Sequence, residues 1–205
     1  MEFKGVVCRY GRTVAVDHVS LAVAPGERVA LTGANGAGKT TLLRAALGLR
    51  PVTAGTVTVD GVAPSSRQEW AERRSLIAWM PQRLTPGRFP LLVDELLHSG
   101  GHPEAALDAA RHLGVAGLRR RPLHTLSGGQ LQRVFLSRAL GAVEAGARAL
   151  FADEPTAALD FAGQEQVAGL LAALPVTVMV VSHDRAMTQA CDRVAEMAAG
   201  RLRVV

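Results

Sequence analysis

Residues 33–40 read GANGAGKT, and this octet stands between a short apolar run, Arg28 to Thr32, and a segment, Thr40 to Leu49, whose Leu42, Leu43, Ala46 and Leu47 recur at helical spacing. Strand, glycine loop and helix in that order form a phosphate cradle. Glycines let successive backbone N–H groups turn inward around phosphate oxygens, and the helix N-terminus adds a partial positive charge. Lys39 sharpens the reading. Of the 23 basic residues only Lys4 and Lys39 are lysine. A compact ammonium fits inside a ring of amides between β- and γ-phosphates, where a planar guanidinium is too broad.

The remaining composition narrows the class. A length of 205 residues allows one large domain, or one with a compact insert. Hydrophobic residues at 48% and charged ones at 20% support a buried core and argue against disorder. Aromatics at 4% are too sparse for a base-stacking nucleic-acid binder, so the formal charge of +5 is read without a nucleic-acid partner. Cys8 and Cys191 are isolated, which predicts reduced thiols rather than a disulfide or zinc framework. The N-terminus lacks a signal pattern, and the run Val176 to Val181 is far too short to span a bilayer, so a soluble chain is expected.

Phe3 to Tyr10 and Thr13 to Val23 read as an antiparallel pair around Gly11-Arg12, and residues 55–61 (GTVTVDG) read as a further strand. Leu76 to Met80 is a short apolar run ending at Pro81. Between Pro86 and Pro122 the texture becomes helical, with Leu91 to His98 and Pro103 to Gly114 between Gly and Pro breaks. After Ser127 a long helix carries Leu131, Val134, Phe135, Ala139 and Val143 on one face. Ala149 to Ala152 and Val176 to Val181 are runs of the buried parallel-sheet type, separated by a helical segment, Gly163 to Leu174.

Residues 149–154 (ALFADE) form an apolar strand ending in two carboxylates. Neighbours on a strand point in different directions, so Asp153 and Glu154 can take different tasks, one on Mg²⁺ and one on water. Residues 126–130 (LSGGQ) open the long helix with Ser127 as its N-cap, making a second glycine-rich anion site. One nucleotide needs only one cradle.

With two such segments the chain resembles the ATP-binding-cassette (ABC) ATPases, over nearly its whole length and in the family's order of motifs. Tyr10 stands where the family has an aromatic that stacks on adenine. Gly33, Ala34, Asn35, Gly36, Ala37, Gly38, Lys39, Thr40 and Thr41 match Walker A, and Gln82 in MPQR resembles the Q-loop glutamine. Ser127, Gly128, Gly129 and Gln130 match the signature. Asp153 matches the Walker B aspartate with Glu154 as catalytic carboxylate, Asp160 the D-loop, and His183 the switch histidine.

The resemblance implies an α/β P-loop NTPase, one domain over residues 1–205, with a mostly parallel sheet, an N-terminal antiparallel β subdomain and a helical subdomain inserted at about residues 86–145. It implies ATP and Mg²⁺ as ligands, with Thr40, Gln82 and Asp153 on the metal and Glu154, His183 and Gln82 completing catalysis. The partners it implies are a second cassette in a head-to-tail homodimer or heterodimer, integral membrane permease subunits and an extracytoplasmic substrate-binding protein. The chain would then lie in the cytoplasm on the inner face of the membrane.

Other constellations point elsewhere and are set aside. Ser182-His183-Asp184 cannot form a hydrolase relay, because three consecutive residues cannot hydrogen-bond from nucleophile to base to orienter. His98, His102, His112 and His124 lack ligand spacing and read as solvated. Arg119-Arg120-Arg121 reads as a solvated face, and Trp70 and Trp79 as packing residues.

For cargo, residues 80–83 (MPQR) with Phe89-Pro90, and residues 127–140 (SGGQLQRVFLSRAL), resemble zinc and manganese importers. Residues 153–160 (DEPTAALD) instead resemble general or lipoprotein-type systems, and the short chain resembles haem-export cassettes. A soluble repair or translation ATPase would need a coiled-coil insertion or two cassettes in one chain.

Overall fold

The computed structural model describes residues 1–82 and 90–204. Arg83, Phe89 and the expected start of the insert at residue 86 lie outside the described residues. Strands β1 (Glu2–Tyr10) and β2 (Thr13–Ala22) form the antiparallel hairpin expected around Gly11-Arg12, and β4 (Ala54–Thr58) joins the other edge of β1.

The larger sheet is built from β3 (Arg28–Thr32), β5 (Ile77–Met80), β6 (Ala149–Asp153), β7 (Thr177–Val181), β8 (Arg193–Ala198) and β9 (Arg201–Val204), in the order β5-β6-β7-β3-β8-β9. Every pairing in it is parallel except β8 with β9. Parallel strands are covered on both faces, which is why they read as continuous apolar runs. On β7 the alternation is visible: Val178 and Val180 enter one buried cluster, Met179 and Val181 the other. The second cluster joins the sheet to the antiparallel layer and to α1 (Lys39–Ala46); the first packs under helices α3 (Val93–His98), α4 (Pro103–His112), α5 (Gly128–Glu144) and α6 (Phe161–Ala172).

Three features depart from the sequence reading. Helix α1 stops before Leu49 because Gly48, at φ 68°, begins a Schellman turn: its N–H donates to Ala45 O at 3.1 Å, and Leu49 N–H donates to Arg44 O at 2.9 Å. Helix α2 (Arg67–Ser75) was not predicted, since RQEWAERRS has no apolar stripe. Its signal is the capping box of Ser66 and Glu69. It docks through Arg73, which is buried and donates to the carbonyls of Ala46, Val57 and Val62. The β8–β9 hairpin was also missed, because its turn is Ala199-Gly200 (φ 48° and 82°) rather than the usual Asn-Gly. Among the described residues no helix is long and apolar enough to cross a membrane.

Candidate active site

Ligands of open α/β sheets bind beyond the carboxyl ends of the parallel strands. There the structure opens a cavity of about 540 Å³, lined by Asn35 to Thr41 after β3, Gln82 after β5, Asp153 and Glu154 at the end of β6, and Tyr10 from the antiparallel layer. Ala15 and Val181, which the sequence reading did not single out, complete its wall.

The loop's shape follows from its glycines. A Cβ on Gly33 (φ 123°) would sit 2.0 Å from Met197 O, and one on Gly38 (φ 105°) 2.2 Å from Ala15 O. Both positions are therefore closed to other residues by conformation and by contact. The β8–β9 turn braces the loop from behind: Gly200 N–H donates to Ala37 O at 3.1 Å. Lys39, 6% exposed, folds its ammonium onto the loop's own carbonyls, donating to Gly33 O at 2.5 Å and Ala34 O at 3.0 Å. A phosphate in the loop offers that ammonium a charged partner instead.

Asp153 is 1% exposed, and among the described residues neither carboxylate oxygen has a hydrogen-bond partner. Burial raises its pKa; the Thr40 hydroxyl, although outside hydrogen-bond geometry, and the charges of Arg44 and Lys39 pull the other way. A buried carboxylate with two unpaired oxygens, next to a threonine hydroxyl, is a donor set suited to a hard divalent cation. Mg²⁺ fits these residues.

Glu154 adopts the left-handed conformation at φ 54°, which is uncommon for a glutamate. This turns its side chain away from the strand pattern toward His183, whose Nε2 lies 3.4 Å from Oε1. Its pKa is raised chiefly by burial, while the nearby His183 lowers it and Asp153 raises it further. His183 itself is half exposed. The neighbouring Ser182 and Asp184 serve the backbone: Asp184 N–H donates to Ser182 Oγ at 3.0 Å, and Asp184 Oδ1 accepts from Ala186 N at 2.8 Å.

Tyr10 is 45% exposed, with the Arg50 guanidinium 3.6 Å from its ring centroid. Arg50 is forty residues away in sequence and was not predicted there. Ser127, Gly128, Gly129, Gln130 and Asp160 are absent from the lining of this cavity. Ser127 caps α5 in a reciprocal pair with Gln130: Ser127 Oγ accepts from Gln130 N at 3.3 Å, and Gln130 Oε1 accepts from Ser127 N at 3.1 Å. Ser127 and Gly128 face outward, and Gly129 packs so closely that a Cβ would stand 2.9 Å from Ala158 O. Asp160 caps α6 through Gly163 N at 3.1 Å. One chain thus carries two glycine-rich helix N-termini, of which only one faces its nucleotide-sized cavity.

Residues 16–157 match the family model described as ABC transporter. The chain belongs to that family. It is 36% identical over 201 residues to the manganese transport system ATP-binding protein MntB of Listeria monocytogenes, covering 90% of this chain and 80% of that protein. It is 40% identical over 181 residues to the zinc import ATP-binding protein ZnuC of Pseudomonas aeruginosa, covering 85% of this chain and 61% of that protein, so it spans less than two thirds of this relative's length. It is 38% identical over 205 residues to the hemin import ATP-binding protein HmuV of Rhodopseudomonas palustris, covering 91% and 75% respectively. Its fold matches a dimeric ATP-binding cassette bound to ADP and Pi in a post-hydrolysis state, with TM-score 0.89 and 26% identity over 100% of this chain and 97% of that one. This ABC chain is an ATPase that binds ATP.

Proposed function

We propose that this ABC ATPase is the nucleotide-binding subunit of a bacterial transporter that imports zinc or manganese. It acts as a single domain in which α3, α4 and α5 belong to an inserted helical unit of about residues 86–145, on the cytoplasmic face of the membrane beneath integral permease subunits. An extracytoplasmic binding protein delivers the cargo. The observation that carries the two-copy mechanism is the signature turn, whose Ser127 and Gly128 face outward and do not line the chain's own cavity. A second cassette, identical or homologous, supplies that turn head to tail over the nucleotide, with Asp160 at the shared surface.

Within one site Tyr10 stacks on the adenine, and the Walker A amides with Lys39 hold the β- and γ-phosphates. Thr40, Gln82 and Asp153 would hold Mg²⁺, which when bound neutralises phosphate charge. Glu154 takes a proton from a water aligned with the γ-phosphorus; the new O–P bond forms as the bond to the β-phosphate oxygen breaks and ADP leaves. His183, beside Glu154, keeps that carboxylate aimed.

The metal reading rests on likeness to manganese and zinc import proteins, and the likeness to a hemin import protein makes haem transport the second reading. Uptake of labelled zinc, manganese and haem, measured in proteoliposomes holding the chain with its permease, separates them. Zinc or manganese uptake that stops with Glu154→Gln supports the proposal; uptake of haem alone refutes it.

A further inference from the structure

Gln132 lies in the second turn of α5, five residues past the signature serine, and is only 5% exposed. Its side-chain amide spends both ends on one loop. Nε2 donates to Glu154 O at 2.6 Å, and Oε1 accepts from Ala158 N at 2.9 Å. The loop it spans, residues 154–158, connects the end of β6 to the turn carrying Asp160.

Glu154 needs such an anchor. A non-glycine residue at φ 54° persists only where its surroundings hold it. Its N–H is held by Val181 O at 2.8 Å, on the side of β7. Its carbonyl is held by Gln132, from the helix that begins at the signature turn. Together the two bonds set the peptide planes on both sides of the Glu154 Cα, and with them the direction in which the carboxylate leaves the backbone.

We propose that Gln132 is a positioning residue for Glu154, linking the signature helix of a subunit to the attacking-water site of the same subunit. The inference rests on the proposed role of Glu154 as the base. Gln132 does not line the cavity, so its loss changes the aim of the carboxylate without removing a contact to nucleotide. Because Ser127 caps α5, the helix that carries Gln132, a displacement of the signature turn is expected to move this amide and the loop attached to it.

Two variants test the idea in the full chain. Gln132→Leu deletes both bonds. Gln132→Glu keeps the shape and the acceptor for Ala158 N but sets a carboxylate oxygen against Glu154 O. Steady-state hydrolysis of ATP with Mg²⁺, normalised to the fraction that binds a fluorescent ATP analogue, gives kcat and KM. Both variants should lose roughly 10- to 100-fold in kcat, the range expected when a reacting group is misplaced by about an ångström, with KM and analogue affinity within about twofold of wild type.

Unchanged kcat in Gln132→Glu overturns the inference, as does a loss carried by KM or nucleotide affinity. If Gln132→Leu fails to fold, Gln132→Glu decides alone. Glu154→Gln, measured in parallel, separates the two readings. Normal turnover there removes the base assignment itself, whereas an inactive Glu154→Gln beside a fully active Gln132→Glu removes only the role of Gln132.

Discussion

Asp153→Asn should make the nucleotide-free protein more stable while ending its metal-dependent chemistry. Asp153 is 1% exposed with both oxygens unpaired among the described residues, so the fold carries a desolvated charge. An unpaired buried polar group costs about 1–3 kcal/mol, and more when charged. Lys39 and Arg44 recover part of this through their charge, and the replacement amide still lacks partners, leaving a net gain of about 1–2 kcal/mol. For a chain of this size that is roughly 2–8 °C in Tm.

The gain depends on pH. Because the folded pKa of Asp153 is raised, the native state binds its proton more readily than the unfolded chain does. This group's contribution to stability is therefore greatest when protonated, and it declines as pH rises from the unfolded carboxylate value, about 4, through the raised folded value. The variant's advantage should grow over that window and level off above it. Thermal unfolding of both proteins without nucleotide, at pH values from about 4.5 to 8, measures the difference directly. Adding ATP with Mg²⁺ should raise the Tm of wild type more than that of the variant. A variant less stable than wild type at pH 8, or a Tm difference independent of pH, would refute the reasoning.

Three further outcomes are expected. Glu154→Gln should keep ATP affinity, lower turnover by about 10²- to 10⁴-fold and accumulate an ATP-bound dimer on gel filtration; steady-state hydrolysis at the wild-type rate contradicts the base assignment. Lys39→Arg should weaken ATP binding by roughly 10- to 150-fold, the value of one charge-assisted hydrogen bond, because the guanidinium cannot enter the space where Nζ meets Gly33 O and Ala34 O; calorimetry showing unchanged affinity counts against the steric argument. Arg73→Ala should lower stability by about 2–4 kcal/mol in urea unfolding, since the carbonyls of Ala46, Val57 and Val62 lose their buried donor, and a change under about 0.5 kcal/mol would show that solvent replaces it.

What local chemistry encodes was readable along the chain. The Walker A glycines, Lys39, the apolar strands ending in Asp153 and Val181, and the Ser127 cap all act over a few residues, so spacing alone places them on strands, loops and helix starts. The reading failed where its signal was absent. Helix α2 has no apolar stripe and its one fully buried residue is an arginine, and the turn at Ala199-Gly200 lacks the usual asparagine.

Tertiary structure alone decided the rest. The sheet order sets β7 between β6 and β3 and so brings Asp153, at the end of β6, to the same cavity as Lys39 after β3. Nothing near Tyr10 in sequence announces Arg50, and nothing near Glu154 announces Gln132 or the left-handed backbone that needs it. Conformational preferences are fixed by neighbouring atoms, whereas a partner for a buried carbonyl or ring is chosen by whichever element the packed core delivers beside it.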